Sequence, residues 1–193
     1  MSEESFKDSY FELVVDGTKI EGAERDRIKY VRVFQYADGP DRFEFAVHTE
    51  MQMEREFPNA SAYKLGAAIE IKTGFDGTGT TIFKGEVSRI EGAFGPDTKP
   101  TFKVIGFSYD HRLSRQRLTE HWESQKYSYI VSDIAGRCGL SADCTATSET
   151  YDYVSMNNQT YLSFVLELAR RVGYEVTCDD KKLVFKPADS SKQ

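Results

Sequence analysis

The sequence is short of the residues that build disulfide frameworks and metal centres. Its 193 residues include only three cysteines and three histidines. No cysteine belongs to a Cys-x-x-Cys pair, and no histidine lies four residues from another histidine or a cysteine. We therefore expect no metal ion and no cofactor. We expect free thiols, as in a reducing compartment, although a bridge between the first two cysteines is conceivable. These residues are Cys138, Cys144, Cys178, His48, His111 and His121.

Long apolar runs are also lacking, so the sequence predicts no membrane span. The first residues, 1–5 (MSEES), are acidic, whereas a signal peptide begins basic and continues apolar. The chain has 25 basic and 31 acidic residues, which gives a net charge of −6. Nucleic-acid binding relies on neutralising phosphates, and binding to a membrane surface relies on a basic amphipathic helix. We therefore expect neither specific nucleic-acid binding nor membrane binding.

Catalytic motifs are missing as well. The sequence has no Gly-x-Ser-x-Gly elbow. Gly74, Gly77 and Gly79 precede a predicted strand and no Lys-Ser/Thr, so we interpret them as a flexible turn and not as a phosphate loop. Cys138 lies on the apolar face of a predicted helix, where a thiol is usually a small buried side chain. We therefore predict no catalytic residues and no enzyme activity.

What the first half does contain is strand-forming sequence. The chain has 13 Phe and 11 Tyr, which favour strands, and apolar side chains alternate with polar ones in several segments. Turn residues such as Asp16-Gly17 separate these segments, and residues 50–67 are predicted to be a loop with one helical turn. Gly85, inside the longest strand, suggests a bulge or a sharp bend. These features favour a small antiparallel β-barrel or a sandwich. The predicted strands are 10–15, 28–36, 42–48, 68–73, 80–91 and 101–107.

The pattern changes after Arg112. One helix is predicted from an N-cap at Ser128 to Arg137, with Gly139 ending it, and a second from Thr160 to before Gly173. Two short strands, 174–178 and 183–185, follow as a hairpin. The fold class is therefore α+β, mainly β, with a small barrel followed by a small α/β domain. The predicted domains are 1–112 and 113–188, and residues 189–193 form a polar tail.

Two clusters permit more than one interpretation. Arg112, Arg115 and Arg117 form either a solvated linker that pairs with nearby acids or part of a protein interface, in which arginine is enriched. Trp122 with Tyr127 and Tyr129 is more typical of packing than of a ligand cage. The same aromatic residues could anchor the second domain onto the first.

Several segments, in their order and spacing, resemble the bacteriophage late-control protein D family, which includes the baseplate hub of contractile tails and is related to the hub part of type VI secretion spike proteins. These segments are 81–91 (TIFKGEVSRIE), 100–113 (PTFKVIGFSYDHRL), 132–135 (SDIA), 139–140 (GL), 157–165 (NNQTYLSFV), 168–175 (LARRVGYE) and 183–187 (LVFKP).

The resemblance implies a structural protein that joins the tail tube to the spike. Hubs of this family form trimers, and each subunit has two tube-like barrels with an α/β insertion between them. Here the sequence ends where a second barrel is expected. We therefore expect a fragment, half of a split hub, or a hexamer with one barrel per subunit. The implied partners are the tail tube protein, the spike protein and other copies of the chain. The implied location is the cytoplasm during assembly and then the phage or phage-like particle.

Two other functions compete with this one. Residues 132–135 and 139–140 also resemble peptidoglycan-binding repeats, so the alternative is a peptidoglycan- or carbohydrate-binding β-module without catalysis. A glycosidase hidden among the carboxylates is disfavoured, since no catalytic motif marks it.

Overall fold

The computed structural model describes residues 9–36, 39–48, 63–75, 78–95 and 98–188. The chain divides into two compact units, Met1–Ser108 and Tyr109–Gln193, and each has its own hydrophobic core. Within the described ranges, no helix combines the length and the apolar character that crossing a membrane requires.

The first unit is one antiparallel sheet, curled as a half-barrel. Its elements are β1 (Ser9–Val15), β2 (Thr18–Lys19), α1 (Gly22–Asp26), β3 (Ile28–Phe34), β4 (Arg42–His48), β5 (Ala68–Phe75), β6 (Thr78–Gly95) and β7 (Thr98–Phe107). The hydrogen-bonded order of the strands is β2-β1-β5-β6-β7-β4-β3. In this order β1 pairs with β5 and β4 pairs with β7, so strands that are far apart in the sequence lie side by side. The mainly-β α+β class is therefore confirmed.

Alternation along the strands builds the core of this unit, because successive side chains point to opposite faces of a sheet. Phe43 and Phe45 of β4 are fully buried, and the Phe43 ring lies 5.1 Å from the ring of Phe83 on β6. The neighbouring residue Glu44 lies on the other face of the sheet. The predicted turn at Asp16-Gly17 is confirmed, since Val15 and Thr18 pair directly across it.

The longest strand, β6, has three register breaks, but none is at Gly85. One lies opposite Ile71 and Lys72 of β5, the second lies between Val87 and Arg89, and the third lies between Ala93 and Gly95. The bulge predicted at Gly85 is therefore not found at that residue. A Cβ at Gly85 would overlap the backbone carbonyl of Phe107, so this glycine allows two backbones to approach closely.

The predicted loop at 50–67 falls largely outside the described residues. Its described part, 63–67, includes a turn and the buried Tyr63. Burial, with a smaller contribution from the charge of Glu24, raises the pKa of Tyr63 to about 12. The predicted polar tail, 189–193, also lies outside the described residues.

The second unit packs two helices with two small sheets. Its elements are a 3-10 helix (Tyr109–Ser114), β8 (Arg117–Gln125), α2 (Tyr127–Arg137), β9 (Ser141–Cys144), β10 (Tyr151–Thr160), α3 (Tyr161–Val172), β11 (Tyr174–Asp179) and β12 (Lys182–Pro187). In one sheet β8 pairs with β10, and in the other β11-β12-β9 combines an antiparallel hairpin with one parallel pair. The two helices and the hairpin agree with the sequence prediction, whereas β8, β9 and β10 were not predicted.

Of the two helix starts predicted from the sequence, the one at Thr160 is confirmed and the one at Ser128 is wrong. Thr160 is the N-cap of α3, and its hydroxyl accepts a hydrogen bond from the Ser163 amide at 3.2 Å. The predicted N-cap Ser128 is wrong, because α2 begins one residue earlier, at Tyr127. Ser128 is instead buried in the first turn, where its hydroxyl accepts from the Thr147 amide at 3.2 Å.

Candidate functional site

Glu44 lies at the centre of a charged cluster on the first unit, on the sheet face opposite the Phe43 and Phe45 side chains. Its side chain is only 4% exposed. One carboxylate oxygen lies 3.3 Å from Arg32 Nη1, and the other lies 2.6 Å from Arg42 Nη2 and 3.0 Å from Lys103 Nζ. Strand order produces this arrangement, because β4 lies between β3, which carries Arg32, and β7, which carries Lys103. We call these four residues the Glu44 cluster.

Electrostatics keep the Glu44 carboxylate ionised. Burial alone would raise its pKa, but the hydrogen bond from Lys103 and the charges of Lys103, Arg42 and Arg32 together hold the pKa below its ordinary value of 4.5. One buried anion thus faces three cations, and the cluster has an excess of positive charge. Ring contacts help to fix two of these cations, since Arg32 lies 4.6 Å from the centre of the Tyr30 ring and Arg42 lies 5.3 Å from that of Phe34.

A cavity of about 530 Å³ adjoins the Glu44 cluster and shares Arg42 with it. A second arginine at the cavity, Arg89, is 62% exposed and pairs with Glu91 at 3.0 Å. Tyr36 is 52% exposed although it is a large aromatic residue. The cavity therefore combines arginine with aromatic and aliphatic surface. It is lined by Tyr36, Arg42, Ser88, Arg89, Ile105 and Phe107.

The edge of the same sheet is a second feature of this region. Within the described ranges β3 pairs with β4 alone, so one side of β3 has no strand neighbour there. Such an edge presents backbone donors and acceptors that can pair with another chain.

The predicted aromatic group of the second unit is only partly brought together. The Trp122 ring stacks on Phe164 with 5.4 Å between centroids, and its Nε1 donates to Asp133 at 3.0 Å. Tyr127 is buried and stacks on Tyr151 at 4.1 Å. Trp122 and Tyr127 are thus packing residues, as predicted, whereas Tyr129 is 56% exposed.

The three arginines that are clustered in the sequence, Arg112, Arg115 and Arg117, make local contacts within the second unit. Arg112 donates to the carbonyl of Gly139 at 3.2 Å, just after the end of α2, and Arg117 donates to the carbonyl of Asn158 at 2.9 Å. Arg115 lies 3.1 Å from the Nε2 atom of His111. These contacts use Arg112 and Arg117 as donors to backbone carbonyls, in addition to any pairing with acids.

The cysteines and histidines considered in the sequence are dispersed. All three cysteines are free thiols, and burial raises the pKa of each, to about 11 for Cys144 and about 12 for Cys178. His48 lies 3.5 Å from the Thr101 hydroxyl, and His121 lies 3.8 Å from Glu123. Among the described side chains, no three His, Cys, Asp or Glu residues converge as metal ligands would. That the chain has no catalytic, cofactor or metal residue stays a prediction.

Sequence reasoning missed the Glu44 cluster. The alternation of β4 does place Glu44 opposite the core face, and Arg32 occupies the corresponding face of the strand before it. The sequence does not show that β4 pairs with β7, about sixty residues later, which brings Lys103 to the same carboxylate.

Comparison with known proteins identifies relatives of this fold. The prophage MuSo2 43 kDa tail protein from Shewanella oneidensis has a similar structure, with a TM-score of 0.64 and 16% identity over 94% of this chain and 55% of that one. The tail protein from Neisseria meningitidis MC58 has a TM-score of 0.61 and 14% identity over 96% of this chain and 52% of that one.

The E. coli c3393 protein is a third structural relative. It is a component of the type VI secretion system, is itself structurally similar to the bacteriophage T4 tail proteins gp27 and gp5, and matches with a TM-score of 0.56 and 14% identity over 97% of this chain and 48% of that one. The chain spans about half the length of these three proteins. At such identities the likeness shows a shared fold.

Sequence comparison identifies the family. No curated protein matches the chain. The family model described as the Alg8 N-terminal domain matches residues 10–193, which is nearly the whole sequence. The chain therefore belongs to the Alg8 N-terminal domain family.

Proposed function

We propose that this chain is a structural component of a phage tail or of a phage-like injection machine. The observation that carries the proposal is the extent of the fold likeness. Two tail proteins and a type VI secretion component match 94–97% of the chain with TM-scores of 0.56–0.64. Both units are thus included in the match, and not only the curled sheet.

More specifically, we propose the position of a baseplate hub between the tail tube and the spike, as in the late-control protein D family that the sequence resembles. The partners would be the tube protein, the spike protein and further copies of the chain, in a trimer or a hexamer. The β3 edge supports self-association, because a neighbouring subunit could complete the sheet there. The chain would be cytoplasmic during assembly and then part of the particle.

The pKa values of the three thiols and of the Glu44 carboxylate support a non-catalytic role. The raised thiol pKa values are the opposite of what a nucleophilic cysteine needs. The three cations around Glu44 hold its carboxylate ionised, whereas a general acid needs a raised pKa. The chemistry of these groups therefore fits a non-catalytic role.

Deleting the gene in its native source tests this function. We expect electron microscopy to show that assembled tails or injection particles are lost, and that they return when the gene is restored. Complete, active particles in the deletion strain would contradict the proposal. Retention of the purified chain by peptidoglycan, together with normal particles in the deletion strain, would favour the cell-wall-binding alternative.

A further inference from the structure

We propose that a cavity in the second unit binds one ring of a neutral sugar. The cavity has a volume of about 280 Å³ and lies where β10 begins and where α3 passes into β11. Residues 132–135 and 139–140, on which the cell-wall alternative rests, do not line it. The proposal holds or fails independently of the place of the chain in a tail. The wall of the cavity is formed mainly by Ser148, Glu149, Tyr151, Arg171, Val172 and Tyr174.

Arg171 supplies hydrogen-bond donors to the cavity without an unbalanced positive charge. Its Nη1 atom donates to the Tyr127 hydroxyl at 3.2 Å, and its Nη2 atom is paired with Glu167. Guanidinium has five N–H donors, so these two contacts leave others for a ligand. Glu149 lies in the same wall, so two carboxylates accompany this one guanidinium. The cavity therefore does not suit an anion, and Arg171 acts in it as a donor.

Glu149 and Ser148 supply acceptors beside these donors. One oxygen of the Glu149 carboxylate accepts from the Tyr151 hydroxyl at 2.8 Å, which leaves the other oxygen available. This hydrogen bond, above all, raises the pKa of Tyr151 to about 12, so the phenol stays protonated and continues to donate. The Ser148 hydroxyl is exposed and can both donate and accept.

A ligand that uses this wall must therefore accept from Arg171 and donate to Glu149. An ammonium group has donors but no acceptor, and a carboxylate has acceptors but no donor. Each hydroxyl group of a sugar both donates and accepts, and it adds no charge to a wall in which the carboxylates already outnumber the guanidinium.

The tyrosine rings supply the apolar part of the wall. Tyrosine combines an apolar ring with a polar tip, and Tyr151 and Tyr174 line the cavity together with Val172. A pyranose ring has C–H groups on its faces and hydroxyl groups around its rim, so it can contact both kinds of surface at once. The volume lies just below the range of about 300–1,000 Å³ that is typical for drug-sized ligands. The cavity therefore suits one sugar ring.

Contacts behind the wall fix these rings before a ligand binds. The Tyr151 ring stacks on the Tyr127 ring with 4.1 Å between centroids. The Tyr174 ring lies 4.9 Å from the Phe185 ring, and its hydroxyl donates to the carbonyl of Ala146 at 3.4 Å. Side chains that are already ordered lose little entropy on binding, which lowers the cost of taking up a small ligand.

An NMR titration of the full chain, labelled with nitrogen-15, tests the proposal. The probes are the methyl glycosides of glucose, galactose, mannose and N-acetylglucosamine. We expect at least one of these sugars to shift the amide signals of residues 147–151 and 171–174 saturably, with a dissociation constant on the order of 1 mM, which is ordinary for so small a ligand. The absence of saturable shifts with every one of these sugars would overturn the proposal.

Two variants and their matched controls assign the binding to the cavity. Ser148→Ala should weaken binding of the sugar about fivefold, and Glu149→Gln should weaken it at least about tenfold, because a hydrogen bond to a charged group is the stronger one. The controls are Ser132→Ala on α2 and Glu91→Gln in the first unit, which change exposed residues outside the cavity and should leave binding unchanged. Circular dichroism verifies that each variant is folded. Folded wall variants that bind the sugar as tightly as the controls do would refute the proposal.

Further probes distinguish a sugar site from a site for other ligands. We expect no saturable shift of the same signals with sodium acetate or with choline chloride. Saturable shifts with either salt, and none with the sugars, would overturn the proposal and identify an anion or a cation as the ligand. Glycerol that shifts these signals as strongly as the sugars would also overturn it, because the cavity would then not recognise a sugar ring.

Discussion

Replacement of Glu44 by glutamine is the perturbation that tests the electrostatic account of the first unit most sharply. Glutamine has nearly the same shape but no charge, so Arg32, Arg42 and Lys103 would face a neutral amide. Removing one partner of a buried ion pair costs about 3–5 kcal/mol. The three cations are between 30% and 61% exposed, so water replaces part of the lost interaction. We therefore expect the free energy of unfolding to fall by about 2–3 kcal/mol.

Urea unfolding followed by circular dichroism measures this change. The one tryptophan, Trp122, belongs to the core of the second unit, so circular dichroism is the probe that also follows the strands of the first unit. The matched control is Glu91→Gln, which removes an exposed carboxylate that is paired with Arg89 at 3.0 Å on the same face. Exposed pairs contribute about 0.5 kcal/mol, so the control should change stability little. Equal effects of the two variants would refute the reasoning.

The pH dependence provides an independent check of the same prediction. Because the pKa of Glu44 is lowered in the folded chain, its contribution to stability is complete above the ordinary value of 4.5 and is lost as the pH falls below it. The difference in the free energy of unfolding between the unchanged chain and Glu44→Gln should therefore be smaller at about pH 3.5 than at about pH 7. A difference that stays constant over this range would mean that the charge of Glu44 is not the cause.

Three further predictions concern the rest of the fold. Gly106→Ala should lower the free energy of unfolding by about 3 kcal/mol in a urea titration, because a Cβ there would overlap the Glu86 carbonyl and the Phe43 ring. The control is Gly136→Ala in α2, which has open space around it and should not destabilise the chain. Thr160→Ala should cost about 1 kcal/mol through the loss of the α3 cap, measured by the tryptophan fluorescence of the second unit, and a change below about 0.3 kcal/mol would contradict the capping role. At pH 8 the three thiols should react with Ellman's reagent at least about tenfold more slowly in the folded chain than in urea, since burial raises the pKa of each thiol. Equal rates would show that the fold does not protect the thiols.

Local signals in the sequence predicted those parts of the fold that depend on neighbours along the chain. The alternation at 42–48 matches β4 (Arg42–His48), and Thr160 with Gly173 correctly bounds α3. The hairpin predicted from strands 174–178 and 183–185 is confirmed, since Asp179 pairs with Lys182 across its turn. Each of these features rests on periodicity or on a capping or turn residue.

Other parts of the fold could not be predicted because tertiary contacts decide them. β8 (Arg117–Gln125) is rich in charged and polar residues, and its inward side chains, Leu118, Glu120 and Trp122, are too mixed to mark an apolar face. Glu120 is accommodated there because Arg137 lies 2.8 Å from it and the Tyr161 hydroxyl donates to it at 3.0 Å. Ser128 was a reasonable N-cap by residue type, but burial with Thr147 places it inside the helix.

The Glu44 cluster likewise combines features that local sequence signals show with features that only tertiary contacts decide. Each cation of the Glu44 cluster is visible in the sequence, and so is the polar position of Glu44 in an alternating strand. Their meeting depends on a strand order in which β4 lies between β3 and β7. A single sequence contains no signal for that pairing.

A density map of the native particle by electron cryomicroscopy tests the structural role most directly. We expect the chain at the end of the tail tube, in three or six copies, with the β3 edge paired to a neighbouring subunit. Purified, complete particles that lack the chain, although the cells that made them contain it, would contradict the proposed role.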